Sequence, residues 1–322
     1  MSKRRINKQQ SARIEKRQQQ HRQQSTTGTD SITSNGLVIT RHGRHALIEN
    51  ISGVRVHCAI RPNLESLVAG DQVVWATAGH NQGVVISHYP RQSVLGRPDK
   101  HGKLRPVAAN ITQLMIVVAP KPDISWVLLD SYLVMAEHLN LQPCILLNKT
   151  DLACEHLKEA LQQYKTLGYP LLFTNQADKS DISLQRACDR HVSVFVGQSG
   201  VGKSSLIARI LPDQASQIQT AAISVSSELG CHTTSNSRLY HLPTGGALID
   251  SPGVREFGLW HMPATDIAKG YREFRPYLSN CKFRNCNHQN TPGCALLDAI
   301  KKNLITHNRY ENYVKISAQF AK

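Results

Sequence analysis

Three short strips of this sequence hold residues suited to phosphate chemistry. Gly197-Gln198-Ser199-Gly200-Val201-Gly202-Lys203-Ser204 matches G-x-x-x-x-G-K-[ST]. It follows the apolar run Val192-Ser193-Val194-Phe195-Val196 and precedes the helical run Ser205-Leu206-Ile207-Ala208-Arg209. Glycines there let the backbone curl so that successive N–H groups face phosphate oxygens. Lys203 is placed to reach the β- and γ-phosphates, and Ser204 to ligate Mg²⁺. A glycine-rich helix cap is the plainer alternative; the strand before and helix after favour the phosphate loop. Asp250-Ser251-Pro252-Gly253 follows Ala247-Leu248-Ile249. Asp250 is suited to hold Mg²⁺ through water, and Gly253 to turn its N–H toward the γ-phosphate. Alone such a D-x-x-G is usually only a turn. Asn148-Lys149-Thr150-Asp151 follows Cys144-Ile145-Leu146-Leu147. An aspartate there accepts two hydrogen bonds from the N1–H and N2 amino group of guanine. Adenine offers no such pair, so a site built for guanine rejects it. Asn148 is expected to brace the loop, and Lys149 to lay its stem over the base plane.

The order of these strips is itself informative. A guanine-nucleotide switch ordinarily runs phosphate loop, D-x-x-G, then N-K-x-D, whereas here the base-reading strip comes first. The chain therefore reads as a circular permutation. Between the phosphate loop and Asp250 lies the polar stretch 223–246, with Gly230-Cys231-His232-Thr233-Thr234-Ser235. Thr234, or else Thr233, is the candidate hydroxyl for the Mg²⁺ shell when a γ-phosphate is present, and loss of that phosphate would release the loop. Val254 stands where Ras-like enzymes carry a water-orienting glutamine. Unaided hydrolysis is therefore expected to be slow, and a partner or another residue must help. His232 is the nearest polar candidate for a catalytic role beside Lys203 and Asp250, although a lone loop histidine is more often plain surface.

A second constellation lies near the C-terminus. Cys281, Cys286, His288 and Cys294 supply three thiolates and one imidazole within fourteen residues. This suits one structural, tetrahedral Zn²⁺ with no open catalytic position. The single residue between Cys286 and His288 excludes a C2H2 finger. The other cysteines, Cys58, Cys144, Cys154, Cys188 and Cys231, are scattered, which favours thiolate–metal chemistry over a disulfide framework.

The elements that position these residues can be read from pattern. The chain has 322 residues, 40% apolar, with a formal net charge of +15. That length allows two or three cores. No apolar run approaches spanning length and the N-terminus has no signal-peptide core, so no membrane association is expected. The charge points to a polyanionic partner, RNA or DNA. Residues 1–35 form a basic, Gln- and Ser-rich tail, expected to be disordered in isolation, with eight Lys/Arg in the first thirty positions against Glu15 and Asp30. Residues 36–100 carry short strands around Gly36–Thr40, Val54–Ile60, Gln72–Trp75 and Gly83–Ile86, with Val54, Val56, Cys58 and Ile60 alternating inward. About five strands suit an OB-type barrel. Its scarce aromatics, Trp75 and Tyr89, favour charge and shape contacts to folded RNA over base stacking. Residues 105–275 alternate buried strands and helices, which predicts a mostly parallel α/β sheet with ligands at the carboxyl ends of the strands. Residues 276–322 hold the Cys/His cluster and two helices, from about 295 and near 308–320.

These features together resemble the bacterial ribosome small-subunit-dependent GTPases, the RsgA or YjeQ family. The resemblance covers nearly the whole chain. It rests on Gly197–Ser205, on Asp250-Ser251-Pro252-Gly253-Val254-Arg255-Glu256-Phe257-Gly258-Leu259, and on Gly230 with His232-Thr233-Thr234. It implies an OB barrel, a permuted GTPase domain and a zinc domain. It further implies GTP hydrolysis to GDP during late maturation of the 30S subunit, stimulated by that subunit, with 16S rRNA as partner in the cytoplasm. Nothing in the sequence suggests an obligate dimer, so a monomer is expected. Two departures stand out: Ser235 takes the place of a third threonine, and Thr174-Asn175-Gln176-Ala177 replaces a Ser-rich base-contacting turn, leaving Thr174 or Asn175 to substitute. Two rival classes are an RNA-binding adaptor with an inert nucleotide site, opposed by the intact Lys203, Ser204 and Asp250, and an ATP-driven RNA remodeller, opposed by Asp151.

Overall fold

The computed structural model describes residues 33–62, 64, 66–79, 81–98, 104–175, 182–212, 237–250, 262 and 264–320. The first five strands are β1 (Thr33–His42), β2 (His45–Asn50), β3 (Arg55–Ile60), β4 (Gln72–Gly79) and β5 (Gln82–His88). β1 pairs with β2 and β4, β2 with β3, β3 with β5, and β5 with β4. The ring is closed, with only β3–β5 parallel, as in an OB barrel. Val56 and Cys58 point inward and Arg55, His57 and Ala59 outward. Val54, expected inside, precedes the strand instead and is 50% exposed. Its N–H is taken by Asn50 Oδ1 in the β2–β3 turn, which ends the alternation. Trp75 is a core residue, packed with Val38, Ile48, Val73 and Val85, so it offers no stacking face. β2 has no counterpart among the strands expected from sequence, and neither does the hairpin of β6 (Val94–Pro98) and β7 (Leu104–Ala109).

Five parallel strands follow: β8 (Gln113–Val118), β9 (Gln142–Leu147), β10 (Leu171–Phe173), β11 (Val192–Val196) and β13 (Ala247–Asp250), with β12 (Arg238–His241) antiparallel to β13. Their order is β10-β9-β8-β11-β13-β12, and β12 in turn pairs with β1, so barrel and α/β layer share one sheet. Every residue of β8 is buried, as a central parallel strand requires. Its alternate residues feed two cores: Leu114, Ile116 and Val118 on one face, Met115 and Val117 on the other. Helices α1 (Trp126–His138) and α2 (Glu155–Thr166) cover the first face; α3 (Ile182–Cys188) and α4 (Lys203–Ile210) cover the second.

The chain ends in α5 (Ala264–Lys269), a 3-10 turn at Arg272–Phe274, α6 (Arg275–Leu278), α7 (Ala295–Lys301) and α8 (His307–Phe320). Tyr271, Phe274, Leu296, Tyr313 and Ile316 join the same core as α1. At that seam Asp130, fully buried, accepts hydrogen bonds from Arg309 Nη1, from Asn312 Nδ2 at 2.8 Å and from Tyr164 OH at 2.9 Å. Arg309 also reaches Glu273 Oε1 at 2.7 Å and lies over the rings of Tyr271 and Tyr164. Burial works against its charge, but Asp130 and Glu273 outweigh that and hold the guanidinium protonated. Removing one partner of such a pair strands a buried charge. Arg309→Leu should therefore lower unfolding stability by about 3–5 kcal/mol, read by urea denaturation; a loss below about 1 kcal/mol would show the pair to be a minor contributor.

Candidate nucleotide site and metal cluster

The carboxyl ends of β9, β10, β11 and β13 lie along one edge of the parallel sheet, and each expected strip begins there. Gly197 leaves β11 with φ 140°, and a Cβ on it would sit 2.2 Å from the Val117 carbonyl oxygen. Gly202 caps α4 with φ 98°, and a Cβ there would fall 2.4 Å from Asn148 Nδ2. Backbone conformation and crowding thus both demand glycine. Lys203 opens α4 and is buried. Its ammonium donates to the carbonyls of Gly197 (2.7 Å) and Gln198 (2.6 Å), in the bend of the loop. Ser199 and Gly200 form the exposed tip, Val201 is buried under it, Ser204 is half-buried and Ser205 exposed.

Asn148 joins the Asn148–Asp151 strip to this loop. Its Nδ2 donates to the Val201 carbonyl at 2.9 Å, and its Oδ1 accepts from Thr174 Oγ1 at 2.9 Å. Lys149, with φ 59°, donates from Nζ to the carbonyls of Gly200 (2.7 Å) and Lys121 (2.9 Å). Thr150 donates from both N and Oγ1 to the Thr174 carbonyl, each at 3.1 Å. Asp151 follows, exposed at the mouth of the turn. Of the two candidates left after β10, Thr174 is buried and holds Asn148, whereas the Asn175 carbonyl accepts from Arg209. One contact was not foreseen: Gln198 Oε1 accepts from the backbone N–H of Ser125, the N-cap of α1. Position x of a phosphate-loop pattern carries no signal for it. Asp250 closes β13, half-buried, and with burial its charge raises the pKa of the Tyr240 phenol. His232, Thr233, Thr234, Gly253 and the basic residues of the first thirty positions lie outside the described residues.

The sulfur and ring-nitrogen atoms of Cys281, Cys286, His288 and Cys294 all lie within 4.8 Å of one another. Cys281 Sγ is 3.8 Å from Cys294 Sγ and 3.5 Å from His288 Nδ1, which is 3.6 Å from Cys294 Sγ. A tetrahedron with metal–sulfur bonds of about 2.3 Å has edges of about 3.8 Å. The donor atoms thus already stand at zinc spacing. His288 adopts φ 59°, and its N–H donates to Cys286 Sγ at 3.4 Å. The cluster could bind zinc.

A model of the RsgA GTPase family matches residues 88–260. The chain is 48% identical over 292 residues to the small ribosomal subunit biogenesis GTPase RsgA 1 of Vibrio parahaemolyticus, covering 87% of this chain and 82% of that protein. The chain belongs to the RsgA GTPase family. A relative so named from Hahella chejuensis is 41% identical across 98% of this chain and 96% of its own. Among solved structures, YloQ, described as a circularly permuted GTPase, matches with TM-score 0.71 and 25% identity over 90% of this chain and 95% of its own. YjeQ from Thermotoga maritima matches with TM-score 0.72 and 27% identity over 90% and 99%.

Within this RsgA GTPase fold, the Thr174 hydroxyl fixes which way the Asn148 amide points. Thr174→Val leaves a buried amide oxygen without its donor. It should cost about 1–3 kcal/mol in thermal or urea unfolding, while Thr174→Ser should remain close to the original protein.

Proposed function

We propose that this chain is a Mg²⁺-dependent GTPase that binds the small (30S) ribosomal subunit and acts in its biogenesis. The observation that carries this reading is the direct joining of Asn148 and Lys149 to the carbonyls of Val201 and Gly200. It makes one pocket out of a strip suited to guanine and a loop suited to phosphate. Asp151 reads the base, with Asn148, Lys149 and Thr150 shaping its loop. The backbone of Gly197 to Ser205 cradles the phosphates. Lys203 leaves its two carbonyl partners for the β- and γ-phosphates of GTP. The hydroxyl of Ser204 and carboxylate of Asp250 are hard oxygen donors, as Mg²⁺ requires. When bound, that ion would neutralise charge developing on the phosphates. Thr234 and Gly253 would sense the γ-phosphate, and His232, or a group supplied by the subunit, would orient the attacking water in place of Val254. GDP and phosphate are the products.

The reading extends to organisation. A basic tail (1–35), the barrel (36–100) and the C-terminal zinc-binding unit (276–322) flank the GTPase domain (105–275) and dock on 16S rRNA. The positive balance of +15 supports this. The donor set of the Cys/His cluster supports one closed, structural zinc. No helix among the described residues is long and apolar enough to cross a membrane; a cytoplasmic monomer is the state in which subunit maturation would use it.

GTP turnover measured with and without purified 30S particles tests the reading. Marked stimulation by the particle is expected; a flat response sinks the ribosomal assignment, and equal use of ATP sinks the guanine assignment. Lys203→Ala should abolish turnover, and Asp151→Asn should erase the preference for guanine over adenine, worth at least about 10²-fold where buried polar groups discriminate. Metal analysis should find one zinc per chain, and its removal by chelation should unfold the C-terminal unit while leaving the barrel folded.

A further inference from the structure

Helix α1 meets the glycine-rich loop 197–204 at one end, α8 of the C-terminal unit near its middle, and Arg272 and Arg275 at the other end. Its N-cap Ser125 gives its backbone N–H to Gln198 Oε1 at 3.0 Å, and Ser125 Oγ accepts from Leu128 N. Near the middle, Asp130 takes Arg309 and Asn312, both from α8. At the last turns Glu137 takes Arg272 and Arg275, each at 2.6 Å. α8 in turn holds the metal-cluster loop: Tyr310 OH donates to the carbonyls of His288 and Gln289, both at 3.1 Å, and Tyr313 OH to that of Asn287 at 3.3 Å. A helix of 13 residues is about 20 Å long and moves as a body.

The two ends of this path differ in stiffness. Separating α1 from α8 would leave the buried Asp130 carboxylate without its Arg309 and Asn312 donors, which costs several kcal/mol. The joint at Gln198 is a single neutral hydrogen bond. Displacement of α8 is thus carried by α1 and arrives at Gln198. The same residue's carbonyl oxygen holds Lys203 Nζ at 2.6 Å. Two consecutive bonds therefore run from the cap of α1 to the phosphate lysine. The phosphate-loop pattern needs no particular side chain at this position, so the amide is free to serve as a link.

We propose that Gln198 and Asp130 are positioning residues through which the C-terminal metal-cluster unit, acting by way of α1, sets the conformation of the phosphate loop and of Lys203. The proposal rests on the reading of Gly197 to Ser205 as a phosphate cradle and adds its regulation. A partner that shifts the C-terminal unit changes nucleotide affinity without touching the nucleotide.

A double-mutant cycle on the full-length, metal-loaded chain tests this, with GDP affinity read by titration of a fluorescent GDP. Gln198→Met keeps the side-chain length and removes the acceptor; Asp130→Asn loosens the grip of α8. Each is expected to change GDP affinity by about five-fold or more, the lower end of ordinary coupling between sites. The double variant should be no further from wild type than the larger single change. A merely structural weakening would instead appear equally in both backgrounds. Additive effects, or an Asp130→Asn protein within about two-fold of wild type, would overturn the proposal. Should Asp130→Asn not fold, Asn312→Ala removes one donor from the same carboxylate with Arg309 in place, and the same non-additivity with Gln198→Met is required. Wild-type chain that takes up no GDP would sink the nucleotide assignment itself; normal wild-type uptake with independent variants sinks only the coupling.

Discussion

The Asn148 carboxamide is the contact on which the site depends. Its two atoms do opposite jobs: the nitrogen holds the Val201 carbonyl and the oxygen takes the Thr174 hydroxyl. The three residues come from loops after three different strands, β9, β10 and β11. The amide is buried, so each unmade bond would carry a desolvation cost of about 1–3 kcal/mol. The glycine at 202 exists to let that nitrogen approach; any side chain there would occupy its place. What binds the loops is noncovalent and local. The order in which the chain visits the strands is therefore free to change, and a permuted chain can assemble the same pocket.

The same logic governs the C-terminal unit. It shares a core with α1 through Tyr313, which packs edge-on against the stacked rings of Tyr271 and Phe274. Apolar packing supplies most of the adhesion. The charged cluster of Asp130, Arg309 and Glu273 adds direction, because a guanidinium between two carboxylates and two aromatic faces tolerates one geometry. The Cys/His loop hangs from α8 by tyrosine hydroxyls. The unit is thereby keyed to a helix that itself caps against the glycine-rich loop 197–204.

Much of this was legible in the sequence because it is encoded locally. The apolar runs ahead of Asn148, Gly197 and Asp250 are strands of a doubly covered sheet, their shortness and the Gly and Asp turns after them separating them from buried helices. The Cys/His cluster was legible because four soft or borderline donors fall within fourteen residues, and the fold brings their atoms within 4.8 Å of one another. What stayed hidden depends on distant partners. β2 shows only Ala46 and Ile48 fully inward, too brief an alternation to stand out. Val54 matched the strand period yet belongs to a turn, because Asn50 captures its N–H. Gln198 occupies a position whose type the loop does not dictate, and its partner lies 73 positions away in the chain. Asp130 and Arg309 are 179 apart and read separately as an out-of-place acid and an ordinary surface base. Their pairing is a property of the folded seam and has no one-dimensional signature.

The pairing of β12 with β1 has a consequence for solubility. A bare outer strand offers a ladder of unmatched amides to any passing chain. Here β1 of the barrel pairs with β12 at Thr40 and Arg238, and the Glu49 and His241 side chains meet at 2.6 Å beside the seam. The N-terminal barrel is thus a shield for the nucleotide-binding layer as well as a module with its own surface. A lineage that discarded it would have to blunt that border by other means, with lysines, prolines or a covering loop.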